Sequence, residues 1–192
     1  MKTISIVIPT YNEEENVLPL YGALREQLEA LKERYDYEII LIDNKSKDGT
    51  REKILQLCEG DRRVKAIFNT RNFGHANSPY YGAMQAKGDC TIIMGADFQD
   101  PPALIPRMVE AWEQGHKVVC MVKAYTRSGP LTNVMRTIYY KTIRKLSSVE
   151  LIENFAGLGL YDKSVVEAVQ VSRRVAEAMD EYLREQRTKS KA

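Results

Sequence analysis

Ile4-Ser5-Ile6-Val7-Ile8-Pro9-Thr10-Tyr11-Asn12-Glu13 begins with a short β-branched run and stops at proline. Such a run, closed by a residue that cannot continue a ladder, reads as a buried strand. The next segment changes period. Between Glu13 and Arg34, Val17, Leu20, Leu24, Leu28 and Leu31 recur at helical spacing. Acids lead this helix, and Lys32 and Arg34 close it, as the helix dipole prefers.

The same alternation continues outward. Strands are predicted over Tyr37–Ile42, Val64–Phe68, Cys90–Met94 and Lys117–Lys123. Helices are predicted over Thr50–Glu59, Ala76–Lys87 and Leu104–Gln114. Strands that alternate with helices imply an α/β fold, a mostly parallel sheet with helices on both faces. Beyond Tyr125 the pattern changes. A loop around Gly129-Pro130 precedes a basic amphipathic helix from Leu131 to Leu146. A glycine-containing turn is expected over Asn154–Gly159, and Leu160-Tyr161-Asp162 leads into a helix over Lys163–Gln170. Val171 to Ala192 is charge-rich and reads as a polar helix fraying into a tail.

Composition excludes several classes. The chain has 192 residues, enough for one domain with a real core, and is 44% hydrophobic and 28% charged. Its 28 basic and 26 acidic residues give a net charge of +2, without the strongly basic balance of a nucleic-acid binder. Three scattered cysteines, Cys58, Cys90 and Cys120, show no metal-ligand spacing and read as reduced thiols. No run approaches the roughly 20 apolar residues of a membrane span.

In parallel sheets, ligands bind beyond the carboxyl ends of the strands. Asp43 and Asp97 both fall there. In Gly95-Ala96-Asp97-Phe98-Gln99-Asp100, Asp97 suits a hard divalent cation that bridges phosphates, with Gln99 as a second oxygen donor. Asp100, before Pro101-Pro102, is a further acid for chemistry or an N-cap. Tyr11 can stack on a base, and Glu13 can accept from a base edge or simply begin the helix. Asp43, heading Asn44-Lys45-Ser46-Lys47-Asp48-Gly49-Thr50, can hold a base or ribose. Arg71, in Arg71-Asn72-Phe73-Gly74-His75, stands before a helix start, where phosphate oxygens are favoured. His75 is read as a surface or capping residue. No Gly-x-Gly-x-x-Gly follows the first strand, which argues against a dinucleotide-dependent oxidoreductase.

Taken in order, these segments resemble the family-two inverting glycosyltransferases. Ser5 to Glu14 resembles their opening, and Asp43 to Thr50 their second motif. Arg71 to His75, Gly95 to Pro102 and Asn154 to Asp162 resemble the polyprenyl-phosphate glycosyltransferases within that family. The resemblance spans residues 3 to 170. It implies a Rossmann-like GT-A catalytic domain over residues 1–170, with residues 171–192 as a polar appendage. It also implies a UDP- or GDP-sugar donor, a polyprenyl-phosphate acceptor and Mg²⁺ or Mn²⁺.

By position, Pro9, Tyr11, Glu13 and Asp43 bind the nucleotide, Asp97 and Gln99 the metal, and Arg71 the donor side. Lys123 and Arg136 face phosphates or lipid. The implied setting is cell-envelope glycan synthesis at the inner face of the membrane, and a homo-oligomer is left open. Three departures stand out. Gly95 replaces the first acid of Asp-x-Asp, and Asn154 replaces an acceptor-side carboxylate. Relatives also continue into membrane-anchoring segments, so a shortened form is expected here. The alternative is a catalytically weak nucleotide-sugar-binding or regulatory module.

Overall fold

A computed structural model describes the backbone of residues 1–122 and 155–189. Lys123, Arg136, Asn154 and the helix expected at 131–146 lie outside the described residues. Six strands, β1 (Lys2–Thr10), β2 (Tyr35–Asp43), β3 (Val64–Phe68), β4 (Cys90–Ile93), β5 (Val118–Val122) and β6 (Phe155–Asp162), form one sheet in the order β3-β2-β1-β4-β6-β5. The pairs β1–β2, β1–β4 and β2–β3 are parallel, as expected. Among the described residues the α-helices are α1 (Glu14–Glu29), α2 (Thr50–Gly60), α3 (Gly74–Gln85), α4 (Ile105–Glu113) and α5 (Lys163–Lys189).

The period-two alternation of β1 sorts the core into two layers. Ile4, Ile6 and Ile8 pack with Val17, Leu20, Leu24 and Leu28 of α1, Ile54 of α2 and Met108 and Trp112 of α4. Val7 points to the other face and joins Ile40, Ile42 and Ala86. Each fully buried aliphatic side chain contributes roughly 1.5–3 kcal/mol, so the α1 side supplies most of the apolar burial.

Residues 155–162 correct the sequence reading. Glycines at 157 and 159 suggest a turn, yet this segment is strand β6, antiparallel to both neighbours. Leu158 and Leu160 are fully buried there. The glycines answer local needs instead. Gly157 has φ +94°, and a Cβ at Gly159 would lie 2.7 Å from the Tyr161 hydroxyl. Tertiary pairing overrides the local turn signal.

At the end of β6, Asp162 joins three elements. Its Oδ2 accepts from Trp112 Nε1 of α4 at 2.8 Å, and its Oδ1 accepts from the Ser164 amide of α5 at 3.0 Å. Lys117, which precedes β5, places its ammonium 3.1 Å away. Burial disfavours the charge, but hydrogen bonds from Ser164, Trp112 and Lys117 outweigh it and hold this carboxyl well below the usual range. Helix α5 then runs unbroken from Lys163 to Lys189. Among the described residues, no helix is long and apolar enough to cross a membrane.

Two helical glycines give opposite expectations for one substitution. Alanine is better than glycine in a helix by about 0.8–1 kcal/mol. At exposed Gly22 nothing lies within 4 Å of an added Cβ, so Gly22→Ala stabilises by about 0.5–1 kcal/mol. At Gly82 the Cβ would sit 2.2 Å from Ile42 Cδ1 and 2.6 Å from Val7 Cγ1. Overpacking of this kind costs about 1–3 kcal/mol, so Gly82→Ala lowers stability despite the helix preference. Urea unfolding of both variants checks the signs, and a stabilised Gly82→Ala contradicts the close approach of α3 to the sheet.

Candidate functional site

The register of the parallel strands builds the site. Thr10 of β1 lies level with Asp43 of β2, and the Met94 amide just after β4 donates to the Val7 carbonyl at 3.1 Å. Three strand ends therefore open at one edge. A cleft of about 230 Å³ lies there. Pro9, Thr10, Tyr11 and Glu13 line it after β1, and Asn44 after β2. Asn72, Gly74 and His75 come from the start of α3, and Gly95, Ala96 and Asp97 from the segment after β4.

The first two loops are bonded to each other rather than merely adjacent. The Asn12 amide donates to Ser46 Oγ at 2.9 Å, and the Lys47 amide donates back to Asn12 Oδ1 at 2.9 Å. The Glu13 amide donates to Thr50 Oγ1 at 2.8 Å. Glu14 closes a second reciprocal pair: its amide donates to Asp48 Oδ2 at 3.2 Å, and its Oε2 accepts the Gly49 amide at 2.9 Å. Asn12 and Lys45 adopt φ of +57° and +62°, left-handed conformations held by this lacing.

Asp43 is fully buried and does not line the cleft. Its Oδ1 accepts the Ser46 amide at 3.0 Å. Its Oδ2 has no hydrogen bond, and Arg51 Nε stands 3.7 Å away. A buried carboxylate oxygen without a donor is costly. Arg51 also lies over the Phe68 ring, 4.5 Å from its centre. Asp43 is thus an ion-paired acceptor with spare capacity beside the lining residues. Glu13 reaches the cleft, but its Oε2 accepts from Asn16 Nδ2 at 2.7 Å, a helix-start role as well. Tyr11 is 43% exposed, free to stack on a planar ligand.

Asp97 is exposed on the cleft, where its Oδ1 accepts the Gln99 amide at 3.2 Å across Phe98, which has φ +57°. Gln99 is exposed too, whereas Asp100 is buried, outside the cleft, with its Oδ2 3.9 Å from where a Cβ of Gly157 would be. The N-cap positions of the following helical segments are Pro101 and Leu104, so Asp100 is not their N-cap. Arg71 stays out of the cleft and stacks on Phe73 at 4.7 Å. His75 enters the lining instead, at the first turn of α3. That turn has no acidic residue, so its positive end is left for an anion.

Among the described residues, no three His, Cys, Asp or Glu side chains gather into a cation cage. Asp97 and Gln99 offer one carboxylate and one amide oxygen. Mg²⁺-type ions commonly take one or two carboxylates plus substrate phosphates, so these two residues fit a cation that arrives with phosphate. Asn44 was missed as a site residue, although it adjoins Asp43. Its Oδ1 accepts from Ser78 Oγ at 2.5 Å, from Asn69 Nδ2 at 2.9 Å and from the Phe73 amide at 3.5 Å. It ties the loop before α3 to the end of β2.

Residues 5–169 match the model of glycosyl transferase family 2. The chain is 36% identical over 170 residues to the bactoprenol glucosyl transferase of Shigella phage SfX, covering 88% of this chain and 55% of that protein. It is 33% identical to an undecaprenyl-phosphate 4-deoxy-4-formamido-L-arabinose transferase of Aeromonas hydrophila, covering 88% and 52%. It thus spans about half the length of the curated relatives it matches. Among solved structures, a mannosyltransferase from Pyrobaculum calidifontis in complex with GDP-Man and Mn²⁺ superposes with a TM-score of 0.59 at 20% identity, covering 86% of this chain and 46% of that one. A glucosyl-3-phosphoglycerate synthase from Mycobacterium tuberculosis gives a TM-score of 0.56 at 19% identity, covering 85% and 57%. The expected GT-A architecture holds.

Removing Asn44 tests the tie between loop and strand. Asn44→Ala leaves Ser78 Oγ buried without its acceptor and costs about 1–3 kcal/mol. Asn44→Asp keeps the acceptor and retains most of that stability. Equal melting of both variants with the parent chain contradicts the tie.

Proposed function

The chain belongs to glycosyl transferase family 2, and on that premise we propose that it moves a sugar from a nucleotide-diphosphate donor to a polyprenyl phosphate, with inversion, at the inner face of the cell membrane during cell-envelope glycan synthesis. The observation that carries this reading is the placement of Asp97 on the same cleft as Tyr11, Glu13 and the first turn of α3. One end offers an aromatic ring and hydrogen-bond acceptors for a base. The other offers a carboxylate and a helix terminus for a diphosphate.

The residues take these roles. Tyr11 stacks on the base, and Pro9, the last residue but one of β1, lines the cleft beside it. A base N–H satisfies the spare oxygen of Asp43 once the exposed Arg51 side chain moves aside. Asp97, with Gln99, would hold Mg²⁺ or Mn²⁺, which would supply positive charge for the leaving diphosphate. Arg71, Lys123 and Arg136 are assigned to phosphates or the lipid by resemblance. Asp100, also assigned to the chemistry, lies behind the cleft and would act by supporting the Asp97 loop.

The acceptor phosphate needs little activation. A phosphate monoester has a second pKa near 6 and is largely dianionic at neutral pH. Its oxygen attacks the anomeric carbon from the face opposite the nucleotide. A new C–O bond forms as the bond to the nucleoside diphosphate breaks, and no proton has to move. This accounts for a cleft in which Asp97 is the one exposed acid among the described lining residues. Gly95, which contributes no second carboxylate, favours a second reading: a nucleotide-sugar-binding module with weak turnover.

Thermal shift with UDP- and GDP-sugars, with and without Mn²⁺, tests donor and metal together. Asp97→Ala is expected to abolish the Mn²⁺-dependent stabilisation without lowering the melting temperature of the free protein. Full retention of that stabilisation sinks the assignment. Product formation with a short polyprenyl phosphate and Mg²⁺ separates the enzyme from the binding module.

A further inference from the structure

Asp43 and Arg51 face each other without bonding. Asp43 Oδ2 is buried without a hydrogen bond, and Arg51 Nε stands 3.7 Å from it. An ion pair that only fastened α2 to β2 would close to about 2.7–2.9 Å and satisfy the oxygen. Arg51 has a side chain 45% exposed and finds no hydrogen-bond acceptor among the described residues. Its guanidinium rests on the Phe68 ring, 4.5 Å from the centre. Cation–π attraction acts anywhere within about 6 Å of a ring centre, so the group can shift along Phe68 without losing its support.

The strand register leads from the cleft to this pair. Thr10, Asp43 and Phe68 are partners on three adjacent strands, about 4.8 Å apart. Thr10 lines the cleft, so Asp43 and then the Arg51–Phe68 stack follow it in one row toward the β3 edge.

We infer that Arg51 is a specificity-determining residue for the donor's base: it donates to a ring carbonyl while Asp43 Oδ2 accepts from the adjoining ring N–H. The inference rests on the nucleotide-sugar reading of the cleft. An acceptor lacking a donor, beside a donor lacking an acceptor, matches an edge on which N–H adjoins C=O. Uracil and guanine carry such an edge. Cytosine and adenine, in the same orientation, turn a lone pair toward Asp43 and an amino group toward Arg51, so like meets like at both positions. Attachment to the diphosphate at the Asp97 end fixes that orientation. The site then rejects these bases because its buried oxygen stays unpaired.

Calorimetric titration of the full chain with UDP, GDP, CDP and ADP, in Mn²⁺, tests the assignment. The parent is expected to bind UDP or GDP at least about tenfold more tightly than CDP and ADP. Arg51→Met keeps an apolar stem on Phe68 and removes every N–H. It is expected to weaken the preferred nucleotide at least about tenfold, with CDP and ADP unchanged and the urea midpoint of the free protein close to the parent's. Arg51→Lys, which restores a cation and a donor, recovers part of the discrimination. An Arg51→Met chain that binds the preferred nucleotide as well as the parent does, or better, overturns the inference, since the arginine then merely covers the oxygen. Equal losses for all four nucleotides overturn it too, since the arginine then attracts only the diphosphate. A parent that binds none of the four removes the nucleotide reading itself, and this inference with it.

Discussion

The nine-residue parallel register between β1 and β2 is the constraint on which the rest depends. It runs from Lys2 opposite Tyr35 to Thr10 opposite Asp43. Because both strands are covered on two faces, a slip of one residue would exchange every side chain between the large core under α1 and the smaller one under α3. Ile6 and Val7 cannot trade places without leaving one layer overfilled and the other hollow. The register therefore fixes the level at which both strands end, and with it the pair of loops that make the floor of the cleft.

From that level upward, rigidity passes through polar contacts. Asn12, Ser46, Asp48 and Thr50 bond loop to loop, and Asn44 bonds β2 to the loop before α3. A ligand then meets a surface ordered in advance, so little conformational freedom is lost on binding. The left-handed backbone at Asn12, Lys45 and Phe98 fits this picture. Each lies in a strand-end loop, where the surroundings hold a conformation the residue alone disfavours.

The parallel half of the fold was legible because its signals are local and repeated. Apolar runs end at Pro9, Asp43 and Asp97, and helical periodicity intervenes between them. β6 was not legible, because its two glycines mimic a turn and only its neighbours reveal a strand. Within the site, Asp97, Tyr11 and Glu13 could be placed from strand ends alone. Asp43 could be placed at the correct edge, but its burial beside Arg51 depends on α2 packing. Asp100 and Arg71 were drawn in by their neighbours in sequence. One turns inward against β6 and the other outward onto Phe73, directions that no spacing encodes. Asn44 and His75 show the reverse, since their part in the cleft arises from the approach of α3.

The reciprocal bonds between the loops after β1 and β2 also bear on how such a chain can diversify. Each loop supplies both donors and acceptors to the other, so neither carries an independent conformation. A change of length in one leaves the other with unpaired amides. The two segments, more than thirty residues apart in sequence, therefore behave as one heritable unit, and variation in ligand preference at this end would arise by paired replacement of both loops.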